Sequence, residues 1–195
     1  MINQISLVLM AYFVGSLSFG IITSYFFKIS DPRSIGSRNT GATNVMRTGN
    51  KFAALLTLLG DILKATLVIF IATYIGVSET YLVIISIAVL LGHIFPIYHK
   101  FQGGKGVATA LGILLGIDWL LALFVFIVWL CVFTIWRYSS LAAILATLSA
   151  PIISYSLEFS SEILWLNIII AALVIYRHKA NIKNLLNGTE SGFKR

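Results

Sequence analysis

The chain has 195 residues, of which 58% are hydrophobic and only 11% are charged, and its mean hydropathy is +0.94. This composition excludes an ordinary soluble domain: apolar runs of about 18 or more residues are the mark of membrane-spanning helices, and several of them in so short a chain leave room only for short connections. The net charge of +7 would suggest nucleic acid in a soluble protein, but in a membrane protein it reads as orientation or an anionic ligand, so no nucleic-acid partner is expected.

Apolar runs fall at 4–27, 52–76, 80–98, 105–117, 119–136, 140–156 and 162–177. The first is preceded by Met1-Ile2-Asn3-Gln4, without Lys or Arg, and no cleavage-site pattern follows it, so it reads as a retained helix rather than a signal peptide. The fourth is short, since thirteen residues make only about 20 Å of helix against a hydrocarbon core of about 30 Å. Charge placement decides the count. If all seven runs cross, every Lys and Arg except Lys64 borders one side, from Lys28, Arg33 and Arg38 to Lys183, Lys194 and Arg195, while Glu79, Asp118, Glu158 and Glu162 mark the other. A re-entrant fourth run would put the basic tail opposite the basic first loop, against the positive-inside rule. The expectation is therefore a single all-α membrane domain over 1–195 with seven transmembrane helices, N-terminus out and C-terminus in. Every polar, Gly-rich connection then faces the cytoplasm. No polar motif recurs in the two halves, which weighs against the inverted-repeat design of many transporters.

The first connection, Ser34 to Arg47, reads S-I-G-S-R-N-T-G-A-T-N-V-M-R. Gly36, Gly41 and the Asn residues permit turns that aim successive N–H groups at an anion. Ser37, Asn39, Thr43 and Asn44 add short donors, and Arg47 supplies a forked cation suited to phosphate. The same stretch also fits a solvated loop whose Asn and Gly simply make turns. In the second span, Asp61 and Lys64 share one helical face at a depth where charges are costly. They form either a buried structural pair or the floor of a polar cavity. His93 and His99 flank Pro96 near the end of the third span, His93 suiting a cap or a core position. Then comes Phe101-Gln-Gly103-Gly104-Lys105-Gly106-Val-Ala-Thr109, without the Ser/Thr of a Walker A loop, which fits a phosphate cradle at a helix start and equally a flexible Gly-rich loop. Arg137 with Ser139 and Ser140 forms a third cluster, and His178, Asn181, Asn184 and Glu190 a fourth. Neither metal-ligand spacing nor a Ser-His-Asp arrangement is present, and Cys131 sits in an apolar run unsuited to nucleophilic chemistry, so no metal, cofactor or covalent intermediate is expected.

These motifs together resemble the bacterial acyl-phosphate:glycerol-3-phosphate acyltransferases. The resemblance rests on Asp31-Pro-Arg-x-x-Gly-Ser-x-Asn-x-Gly-Ala-Thr-Asn-x-x-Arg47, on Gly92-His-x-Phe-Pro through Gly103-Gly-Lys-Gly-Val-Ala-Thr109, on Arg137-Tyr-x-Ser140, and on His178-x-x-Asn181 with Gly188-x-Glu190. Arg38 departs from it, standing where glycine is expected. The resemblance implies a multi-pass enzyme of the bacterial cell (inner) membrane, with its active site facing the cytoplasm. It would move a fatty acyl group from acyl phosphate to the 1-hydroxyl of glycerol 3-phosphate, releasing lysophosphatidic acid and phosphate, with membrane lipid around it. The His-x4-Asp motif of thioester-dependent acyltransferases is absent: the residues five after the three histidines are Tyr98, Gly104 and Lys183. On this view the glycerol 3-phosphate site comprises Ser37, Arg47, Lys105, His178 and Asn181. The second phosphate goes to the Gly103–Gly106 backbone, with Gly36, Asn39, Thr43, Asn44, Thr109, Arg137, Ser140 and Glu190 as further binding positions, and Asp61, Lys64 and His93 beneath. Ser34–Arg47 is expected to close against Gly103–Thr109. A small-anion transporter is the competing reading, opposed by the apolar outer halves of the spans.

Overall fold

The structure is a computed structural model that describes residues 4–193; Met1, Ile2, Asn3, Lys194 and Arg195, which entered the leader and charge arguments, lie outside the described residues. Among the described residues all regular structure is helical. The contacts divide the chain into two compact units, Met1–Ile117 and Asp118–Arg195.

In the first unit, α1 (Gln4–Gly15) and α2 (Phe19–Phe26) meet at 43°, so the first apolar run is a bent pair rather than one rod. Ser16, Leu17 and Ser18 make the break. The Ser16 hydroxyl donates back to Tyr12 O at 2.9 Å, and Ile21 N–H turns to Ser18 O at 3.1 Å, leaving the Leu17 carbonyl without its usual donor four residues on. After the loop come the short α3 (Ala42–Met46) and the 24-residue α4 (Lys51–Tyr74), started by Asn50, whose side chain accepts from Ala53 N–H at 2.9 Å. α5 (Glu79–Ile94) and α6 (Val107–Ile117) complete the unit. Its helices pack backbone to backbone. A side chain at Gly15 would run into the Val89 backbone, one at Gly92 into Tyr12 O, and one at Gly112 into Ile62 O. Close approach through small residues is how helices associate where lipid is as apolar as leucine.

The second unit is α7 (Trp119–Trp136), α8 (Ser139–Ser156), α9 (Ser161–Arg177) and α10 (Lys179–Leu186). Asp118 caps α7 by accepting from Leu120 and Leu121 N–H, each at 2.8 Å. The buried alanines 142, 143, 146 and 150 line the inner face of α8. Asn167 of α9 donates to Ser154 of α8 at 2.7 Å, and α9 turns into α10 through 63° at His178. Cys131 lies exposed on α7.

All seven apolar runs are helical. Among the described residues, four helices are long and apolar enough to cross a membrane, or up to six with each bent pair taken as one span. α6, with 11 residues, is about 16 Å long.

Candidate functional site

The first polar loop is organised from within by Asn44, 1% exposed. Its amide nitrogen lies 2.6 Å from Pro32 O, 2.9 Å from Asn39 O and 3.1 Å from Ile35 O, and its oxygen accepts from Ser37 N–H at 3.0 Å. One side chain thus ties together the 3-10 turn at Pro32 and three backbone positions of the irregular loop that follows it. Arg38 N–H donates to Ile35 O at 2.9 Å, so the N–H groups of Ser37 and Arg38 serve the loop itself. Gly36 and Arg38 both take the left-handed conformation, at φ +50° and +56°. Arg38 therefore bears the strain that the glycine expected there would avoid. Gly36 is needed for a second reason. A Cβ there would sit 3.1 Å from Arg47 Nη1, so the exposed Arg47 side chain lies across the Gly36 backbone. A cavity of about 430 Å³ opens here, lined by Lys28, Ile29, Ser30, Ile35, Gly36, Arg47 and Thr48. The hydroxyl-bearing Ser37 is exposed beside it in sequence, while Asn39 and Thr43 are half-buried.

At the start of the loop Asp31 and Arg33 pair at 2.6 Å. The guanidinium hydrogen bonds hold the Asp31 carboxyl below its ordinary value and raise Arg33 in turn.

The second loop rests on a buried polar triad. Lys64 Nζ donates to Asp61 Oδ1 at 2.8 Å, to the Leu17 carbonyl at 2.7 Å and to His93 Nδ1 at 3.0 Å. The three side chains belong to residues only 2%, 4% and 5% exposed (Asp61, Lys64 and His93). Three acceptors match the three protons of an ammonium, so His93 Nδ1 is the acceptor of its ring. Above the ring, Gly104 N–H donates to His93 O at 3.1 Å. A Cβ on Gly104 would collide with the His93 ring, and one on Gly103 with His93 O. These two glycines are required by close approach, whereas Gly106, at φ +89°, is required by its backbone angle. Lys105 stands between them, half-buried, at the entry to α6. Thr109 is fully enclosed, with Oγ1 lacking a hydrogen-bond partner among the described residues.

In the second unit, Glu190 Oε1 accepts from both Ser140 Oγ and Asn181 Nδ2 at 2.7 Å. Arg137 caps α7 in the left-handed conformation, and its carbonyl accepts from Phe193 N–H at 3.0 Å, pinning the tail. His178 is 2% exposed, with Nδ1 2.8 Å from Val174 O. A carbonyl only accepts, so Nδ1 carries a proton and, in the neutral ring, Nε2 is the basic nitrogen.

The chain matches the family model for glycerol-3-phosphate acyltransferase over residues 5–188. It belongs to that family. Glycerol-3-phosphate acyltransferases of Methylobacillus flagellatus and Cupriavidus necator are 45% and 48% identical to it, over 98% and 94% of this chain and 97% and 93% of theirs. Crystal structures of PlsY, an integral membrane glycerol 3-phosphate acyltransferase, superpose on it in two forms. The glycerol 3-phosphate form gives a TM-score of 0.93 over 98% of this chain and 96% of that one, and the lysophosphatidic acid form 0.91 over 98% and 95%, both at 41% identity. The protein is thus a membrane acyltransferase of phospholipid biosynthesis.

Sequence reasoning missed several members of this acyltransferase's polar groups. The Leu17 carbonyl has no side-chain signature at all. His93 as third partner of Asp61–Lys64 is 29 residues from Lys64, beyond any local pattern. The Thr23–Thr57 hydroxyl pair, 2.7 Å apart between α2 and α4, hides in apolar runs.

Proposed function

We propose that the chain transfers a fatty acyl group from acyl phosphate to the 1-hydroxyl of sn-glycerol 3-phosphate, giving lysophosphatidic acid and inorganic phosphate. The observation that carries this reading is the build of the loop Gly103–Gly106. A lysine stands at the N-terminal end of an apolar helix, on glycines seated against His93, in a chain whose family acts on a phosphorylated glycerol. The absent His-x4-Asp motif supports acyl phosphate rather than a thioester as donor. Ser37, Arg47, Lys105, His178 and Asn181 are the residues assigned to glycerol 3-phosphate. The phosphate of the donor is received by the Gly103–Gly106 segment. Asn39, Thr43, Thr109, Arg137, Ser140 and Glu190 support these groups.

In the step itself the glycerol oxygen attacks the acyl carbonyl carbon, the carbonyl–phosphate C–O bond breaks, and phosphate leaves with the electron pair. The hydroxyl proton passes to His178 Nε2 or to a substrate phosphate. Acyl phosphate already carries a good leaving group, so positioning and oxyanion stabilisation account for most of the acceleration. The helices cross the bacterial inner membrane seven times, with α6 as the short crossing, N-terminus out and C-terminus in, so that the polar loops face the cytoplasm. The charge asymmetry supports this topology.

The test gives purified protein palmitoyl phosphate and glycerol 3-phosphate and follows phosphate release together with lysophosphatidate. Product from both is expected. No product, with anion uptake into liposomes instead, would overturn the reading in favour of a transporter.

A further inference from the structure

We propose that Asp61, Lys64 and His93 are positioning residues that set the Gly103–Lys105 loop for catalysis through the His93 main chain and ring. This deepens the function proposed above and rests on the assignment of that loop to a phosphate.

The argument starts from cost. A buried ion pair is expensive to desolvate, and hydrophobic residues of similar volume usually hold a fold as well or better. If α4 needed only packing here, apolar side chains would serve. The pair is instead fully engaged: Lys64 makes three hydrogen bonds, to Asp61 in its own helix, to the Leu17 carbonyl at the α1–α2 break, and to His93 near the end of α5. His93 is where the network meets the loop. Its Nδ1 is fixed by Lys64, with Asp61 Oδ1 3.5 Å away. Its carbonyl receives Gly104 N–H, and its ring fills the space that a Cβ on Gly104 would take. The ring orientation set by Lys64 therefore sets how closely the glycines approach α5, and with them the height of Lys105 at the start of α6. None of the three reaches substrate in this scheme, because each is enclosed and occupied by the others.

The test must separate positioning from mere support. Asp61→Leu combined with Lys64→Met removes both charges together and leaves no orphan ion. We expect this double variant to fold in detergent but to melt below wild type, because the Leu17 carbonyl and His93 Nδ1 lose their donor. Its kcat/KM for palmitoyl phosphate should fall by about 30-fold or more, carried by a raised KM, because the loop is present but misplaced. A folded double variant with wild-type kcat and KM would overturn the proposal. If the double variant does not fold, His93→Asn and His93→Leu decide. Asn offers an acceptor near the Nδ1 position and should hold activity within about threefold, while Leu, which leaves one Lys64 proton unpaired, should melt lower and, still folded, lose about 30-fold. Equal losses in the two would also overturn it. Wild-type protein that makes no lysophosphatidate in the same assay would count against the proposed reaction instead, so the two failures are distinguishable.

Discussion

Asn44→Ala isolates one side chain as the organiser of the first loop. It removes the hydrogen bonds to Pro32, Ile35, Ser37 and Asn39 and creates almost no new surface, because the residue is buried. At a net of about 1 kcal/mol each, one bond to the oxygen and three contacts sharing the two amide protons give about 3–4 kcal/mol. Water reaches part of the loop and satisfies some of the released carbonyls, which lowers the figure to about 2–3 kcal/mol. If the loop must be ordered to hold substrate, that corresponds to a loss of about 30- to 150-fold in kcat/KM. Asn44→Asp sharpens the argument. It keeps the shape but turns a carboxylate oxygen toward backbone carbonyls that now have no donor, so it should lose at least as much as alanine. The assay is phosphate release at varied glycerol 3-phosphate, with limited trypsin digestion at the exposed Arg38 as a direct readout of loop order. Asn44→Ala with wild-type kcat/KM and wild-type resistance at Arg38 would refute the reasoning.

Arg47→Ala and Lys105→Ala should each lose activity by about 100-fold or more with unchanged melting, since each removes a full charge offered to a phosphate; a loss of less than about threefold in both would remove them from recognition. Glu190→Ala deprives Ser140 and Asn181 of their shared acceptor. A drop of about 10- to 30-fold in kcat/KM is expected, with Glu190→Gln retaining more because one oxygen still accepts. Cys131→Ala, on an exposed face of α7, should leave turnover at wild-type level, and an inactive variant would point to an acyl-enzyme.

Much of the helical framework was legible because lipid solubility is a property of composition. The seven apolar runs are all helices, and Asp61 and Lys64 at a spacing of three were recognisable as partners. What escaped depends on distance along the chain or on atoms that every residue shares. The bend at Ser16–Ser18 divides a run that is equally apolar on both sides, with Gly15-Ser16-Leu17-Ser18 as its one local signal. The bond from Lys64 to Leu17 spans 47 residues and ends on a backbone oxygen. Asn44 looked like any other short donor, because composition gives a residue's hydrogen-bonding capacity and not its direction. Gly103 and Gly104 suggested an anion cradle, yet their immediate need for a missing side chain comes from the His93 they pack on.

The bend between α1 and α2 also bears on biogenesis. In hydrocarbon an unmatched carbonyl costs several kcal/mol, and the one at Leu17 is answered by a residue that leaves the ribosome dozens of steps later. The first segment therefore has reason to enter the bilayer straight and to bend only when α4 arrives beside it with Lys64. Lys64, carried into the bilayer with Asp61 beside it, would in turn gain its second and third contacts only from neighbours on both sides of it in sequence. Assembly of this unit is then a late, concerted closure rather than a helix-by-helix deposition, and a nascent chain halted before α4 should hold its first segment unbent.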